Sequence, residues 1–169
     1  MFPIVFAHGL EGSPEGRKIQ YLRTNGFDVR APDGRGLALA ARYEGLDLST
    51  KSGGILLIGS SYGGLAAAHL AATHPDRFVG LLLLAPALHY SEEPVTDVDR
   101  LFPPNGVPTI LIHGVRDTVV PIDASRRYAA HGARLIETDD DHALRESMDE
   151  MVAVVRELMA NVSRSLDER

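Results

Sequence analysis

Ten residues, Ile55-Leu56-Leu57-Ile58-Gly59-Ser60-Ser61-Tyr62-Gly63-Gly64, constrain the fold of this chain more than any others. An apolar run of strand length meets a glycine-flanked serine, and an alanine-rich helix over residues 65–72 follows at once. The spacing Gly59-x-Ser61-x-Gly63 suits a turn so sharp that neighbouring Cβ atoms would collide, and glycine on both sides relieves the crowding. Such a turn lifts the serine hydroxyl above the carboxyl edge of a sheet. It also aims the unpaired N–H groups of the next helix at the same point. An ordinary Gly/Ser loop has no need of a buried strand before it or a small-residue helix after it.

The rest of the chain repeats the strand–helix alternation. Residues 2–7 form a first strand that ends in the turn His8-Gly9-Leu10-Glu11-Gly12, and Ser13-Pro14 has the form of an N-cap and first helical residue. A second strand is expected over 27–32 and a helix over 37–46. After the central strand and its helix come a strand over 78–84, a Pro-punctuated loop with one helical turn over 87–106, and a strand over 109–112. A helix over 123–130, with Asp123 as a candidate N-cap, precedes the last strand at 134–138. The final helix is marked by Met148, Met151, Val152, Val155, Leu158, Met159 and Val162 at helical spacing, with a fraying tail after Ser163. Most strands are continuously apolar, as in a parallel sheet covered by helices on both faces. The expected fold class is therefore α/β, a three-layer sandwich on a mostly parallel six-stranded sheet, in one domain spanning 1–169. Right-handed crossovers bring the carboxyl end of every strand to one edge.

His8, Ser61, Asp117 and His142 each follow a predicted strand, so all four belong to that edge. A serine hydroxyl is a poor nucleophile at neutral pH; it needs a base, and the base needs a carboxylate to orient it. Ser61, Asp117 and His142 stand in the chain order nucleophile, acid, histidine. Asp123 is the weaker acid, and His142 alone among seven histidines lies between the last strand and the last helix. Asp139-Asp140-Asp141-His142 could collect a cation, but no partner motif such as H-E-x-x-H accompanies it, so no metal is expected. Donors for a developing oxyanion would be the backbone N–H groups of Tyr62 and, from the first turn, Leu10.

Composition narrows the classes further. With no cysteine, thiol catalysis, disulfides and iron–sulfur ligation are excluded. A net charge of −6 without a basic cluster argues against nucleic-acid binding. The N-terminus enters a strand without a basic leader, and no apolar run approaches membrane-spanning length, so a cytoplasmic protein that engages no membrane is expected.

The set Phe6-Ala7-His8-Gly9, Pro32-Asp33-Gly34-Arg35-Gly36, Gly59-Ser60-Ser61-Tyr62-Gly63-Gly64, His113-Gly114-x-x-Asp117 and Asp141-His142 resembles the α/β-hydrolase superfamily, and small lidless bacterial serine esterases in particular. The resemblance implies that fold without its first two strands and without the lid. It also implies a cofactor-free serine hydrolase that cleaves small carboxylic esters through an acyl-enzyme. Acyl transfer and thioester hydrolysis use the same triad, and a binding protein that has kept the fold but lost turnover is the rival from another class. With an exposed 87–106 loop in place of a lid, a shallow groove walled by Leu10, Tyr62, Leu88, Tyr90, Val119 and Leu144 is expected, suited to short acyl chains.

Overall fold

The structure, a computed structural model, describes residues 2–167. Six strands form one sheet: β1 (Ile4–Ala7), β2 (Val29–Arg30), β3 (Ile55–Ser60), β4 (Phe78–Leu84), β5 (Thr109–Gly114) and β6 (Arg134–Thr138). Their spatial order is β2-β1-β3-β4-β5-β6, and every pairing is parallel. Five helices connect or follow them: α1 (Arg17–Thr24), α2 (Leu39–Ser49), α3 (Tyr62–Thr73), α4 (Ile122–Ala129) and α5 (Met148–Asp167). No helix among the described residues is long and apolar enough to cross a membrane.

The continuous apolar character of the strands has a direct use, because alternate residues feed two separate cores. Val5, Leu57, Leu83 and Leu111 point toward α2, α3 and α4, packing with Leu65, Leu70 and Tyr128. Phe6, Ile58, Leu82 and Ile112 point the other way, toward Ile19 and Leu22 of α1 and Val152, Val155 and Leu158 of α5. Each buried Leu, Ile or Val contributes about 1.5–3 kcal/mol relative to exposure.

Several local expectations are corrected. Ser13 does not cap α1: its hydroxyl accepts the N–H of Glu15 and its carbonyl that of Gly16, so a tight turn forms and the helix starts at Arg17. β2 is only two residues long, because it lies at the sheet edge and Pro32 has no N–H to continue the ladder. Pro121, not Asp123, is the N-cap of α4, while Asp123 sits in the first turn paired with Arg126. α5 runs through Asp167 instead of ending at Ser163. The loop after β4 contains the expected helical turn, a 3₁₀ segment at Val98–Arg100, but it is not simply exposed. Leu88, Val95, Val98 and Leu101 are all buried in the α2–α4 core.

Candidate active site

The turn at Ser61 is as sharp as its glycines imply. Ser61 has φ 53° and ψ −118°, a conformation that L-residues avoid. It is held there by hydrogen bonds from its N–H to the Leu84 carbonyl and from the Ala87 N–H to its own carbonyl, each 2.9 Å. A Cβ on Gly59 would come within 2.6 Å of the Ala67 side chain, and one on Gly63 within 2.2 Å of the Ala7 carbonyl. These two glycines let α3 fold back against β3 and β1.

The His142 ring lies between Ser61 and Asp117. Its Nδ1 is 2.7 Å from Asp117 Oδ2 and its Nε2 is 3.0 Å from Ser61 Oγ. An ionised carboxylate can only accept, so Nδ1 carries the proton and Nε2 is left to accept from the serine hydroxyl. The Asp117 side chain is fully buried. Burial pushes its pKa up, but the amides of Val120 and Val119 and the His142 ring outweigh that and hold it below the ordinary carboxylate value. The acidic run beside His142 is used as loop architecture. Asp140 accepts from the Asp141 amide, the Glu146 amide and the Ser147 hydroxyl, each at 2.8 Å; Asp139 pairs with Arg116, and Asp141 accepts from the Ala143 amide.

Sequence reasoning assigned no role to three residues around this set. His113, completely buried at the end of β5, places Nε2 3.0 Å from Asp117 Oδ2 and 3.1 Å from the Val120 carbonyl, while its Nδ1 accepts from Ser125 Oγ at 2.7 Å. Burial lowers its pKa and favours the neutral ring. Arg42 is buried under the first turn. It donates to the His8 carbonyl at 2.7 Å and the Leu37 carbonyl at 3.2 Å, and its guanidinium lies 4.8 Å from the centre of the Tyr62 ring. Its signal in the sequence is an arginine on the inward stripe Leu39, Arg42, Leu46 of α2. Glu92 ties the loop after β4 to the site: it accepts from the Tyr62 hydroxyl, the Tyr90 hydroxyl and the Leu39 amide. Nothing in the sequence around Glu92 marks it.

The first turn is fixed by His8, whose Nε2 accepts the Gly34 N–H at 2.9 Å and whose Nδ1 therefore donates to the Gly9 carbonyl at 2.8 Å. Among the described residues, neither the Leu10 N–H nor the Tyr62 N–H has a hydrogen-bond partner. Both residues line the same open cavity as Ser61 and His142, with a volume of ≈ 1020 Å³. Tyr90 and Val119 lie on its wall as expected. Leu88 and Leu144 do not: each is at most 2% exposed and belongs to a hydrophobic core. Leu88 turns inward with the packed loop, and Leu144, at φ 53°, turns under the His142 segment. The space is also larger than a shallow groove, and Arg17, Lys18, His89 and Arg145 contribute to its lining. The arrangement provides a hydroxyl, a ring nitrogen ready to take its proton, a carboxylate behind that ring and two free amide donors at one opening.

The family "Putative esterase" matches residues 46–154, a stretch that contains Ser61, Asp117 and His142. No curated protein matches the chain. Among solved structures, it is similar to a "putative hydrolase of the alpha/beta superfamily" from Xanthomonas campestris pv. campestris, with 25% identity and a TM-score of 0.78 over 95% of this chain and 99% of that one. Est1E from Butyrivibrio proteoclasticus is 20% identical, with a TM-score of 0.77 over 96% and 89% of the two chains. The monoacylglycerol lipase of Paleococcus ferrophilus is also 20% identical, with a TM-score of 0.71 over 95% and 93%.

Proposed function

The chain belongs to the esterase family within the α/β-hydrolase superfamily, and from that premise we propose that it is a serine carboxylesterase acting on small esters of short acyl chains. The observation that supports this reading is the unbroken hydrogen-bond chain from Asp117 through His142 to Ser61 at the mouth of the cavity. Ser61 Oγ attacks the ester carbonyl carbon as His142 Nε2 takes the hydroxyl proton. The tetrahedral oxyanion receives the N–H groups of Leu10 and Tyr62, and Asp117 stabilises the imidazolium that has formed. When the intermediate collapses, the proton passes from His142 to the departing alkoxide, leaving the acyl group on Ser61. Water then repeats the sequence with His142 as base, releasing the acid and restoring the serine. No cofactor enters the cycle.

Labelling with a fluorophosphonate, combined with turnover of p-nitrophenyl butyrate, tests the reading. The wild-type protein should be labelled at Ser61. Ser61→Ala should abolish labelling and lower kcat by about 10⁴-fold or more, since the members of such a set act as a unit. Ser60→Ala should lose far less. An adduct on Ser60, or turnover undiminished in Ser61→Ala, would overturn the assignment.

A further inference from the structure

Taking the proposed ester hydrolysis as its basis, we infer that the preferred substrates carry a second, ionised acid group, held at the cavity wall by Arg17, Lys18 and Arg145. These three cations line the same cavity as Ser61 and His142. Arg17 and Lys18 are the first two residues of α1, and Arg145 lies three residues beyond His142. Among the described residues none of the three has a carboxylate within ion-pair distance, although the chain holds 23 acidic residues against 17 basic ones. In a protein of net charge −6, that imbalance on one wall runs against the overall composition.

The placement is electrostatically unfavourable for the protein alone. The first turn of a helix already carries partial positive charge from its free N–H groups and normally attracts acidic residues. α1 has no acidic residue there and begins Arg-Lys instead. Lys18 is partly buried, and among the described residues its one hydrogen bond is to the Ala143 carbonyl at 2.9 Å, so two of its three donors have no protein partner. Burial lowers its pKa, and the charges of Arg17 and Arg145 push the same way, against Asp140 and Asp141. An anion in the cavity would reverse this: it would take the spare donors and relieve the mutual repulsion of the three cations. Two carboxylates also lie on the wall. Glu92 is occupied by two tyrosine hydroxyls and an amide, which leaves Glu11 as the other carboxylate on the wall, with Asp140 and Asp141 acting on Lys18 from outside it. Where local and global preferences conflict in this manner, a functional site is the usual reason.

The acid group can be carried on either side of the scissile bond, and paired substrates distinguish the two arrangements. In the acyl arm, mono-p-nitrophenyl glutarate is compared with its methyl ester; in the alcohol arm, 4-acetoxybenzoate is compared with methyl 4-acetoxybenzoate. At low ionic strength we expect kcat/KM to favour the anion by about tenfold in at least one arm, and added salt to shrink the ratio. The double variant Arg17→Gln/Arg145→Gln should bring that ratio close to one. Arg134→Gln, which removes a cation on β6 paired with Glu157 of α5, should leave it unchanged. A preference for the neutral ester in both arms, or an anion preference that survives the double variant, would overturn the inference. Calorimetric titration of Ser61→Ala with monomethyl glutarate and with dimethyl glutarate reads the same preference without turnover. Absence of hydrolysis by the wild-type protein, together with arginine-dependent binding of the anion, would count against the esterase reading alone. Equal binding of the two ligands would count against the anion site.

Discussion

A buried histidine behind Asp117 is expected to weaken this fold on the acid side of neutrality. His113 is fully buried, and its folded-state pKa is lowered by that burial. Between the lowered value and the unfolded value of about 6.5, the unfolded chain binds more protons, so stability rises with pH. The stabilisation is complete above the unfolded value and is lost as pH falls through the folded one. Asp117, also held low, follows the same sign but acts below the ordinary carboxylate range. Urea midpoints at pH 7.5, 6.5 and 5.5 should therefore fall on acidification. His113→Asn should be less stable at every pH but should show a shallower slope, by up to about 1.4 kcal/mol per pH unit. Parallel slopes in the two proteins would mean that other groups set the acid limit. His113 sits in a motif visible in the sequence, but its service to Asp117 was not legible there. It depends on the chain turning back after β5 so that His113 and His142 meet the same carboxylate oxygen of Asp117.

Among the elements, the junction of β3 and α3 tolerates least. A methyl group at Gly63 would lie 2.2 Å from the Ala7 carbonyl and 2.4 Å from that of His8, both backbone atoms that cannot step aside. Gly63→Ala should cost about 3 kcal/mol or more. Gly45→Ala is the matched control: this glycine is in α2 with nothing within 4 Å of its would-be Cβ, and alanine there should stabilise by about 0.5–1 kcal/mol. Thermal melts of the two variants check both signs. This junction was the most legible part of the chain, because strand, turn and helix each leave a local mark: apolar run, glycine spacing, small residues. The start of α1 was less legible. Ser13-Pro14 satisfies the pattern for a helix opening, yet the Ser13 oxygens are taken up by Glu15 and Gly16 in a competing turn. Leu88 and Leu144 failed as cavity residues for a related reason. Their position beside the site was clear from sequence, but the direction of a loop side chain depends on φ/ψ, as the φ of 53° at Leu144 illustrates.

For the molecule as a whole, what covers the site decides which neutral substrates it takes. The loop after β4 commits Leu88, Val95, Val98 and Leu101 to the core, and so has few apolar side chains left to form a cover. Each acyl methylene buried gives about 0.8 kcal/mol, close to fourfold in kcat/KM, and that gain should stop after roughly six carbons. With p-nitrophenyl esters of two to sixteen carbons, no jump in rate is expected at the solubility limit; a preference for the longest chains would refute the short-chain reading. The sheet order carries one more consequence, in time. Ser61 and His142 are separated by 81 positions, and the strands that deliver Leu10, Ser61, Asp117 and His142 are β1, β3, β5 and β6 of a parallel sheet in which no neighbours form a hairpin. Long-range parallel pairing is slow, because each closure must be made before its contacts stabilise it. No partial sheet that lacks β6 holds all four groups, so activity is a clock that starts only when β6 has docked. On dilution from urea, ester hydrolysis should return with the slowest phase of the far-UV dichroism and never ahead of it.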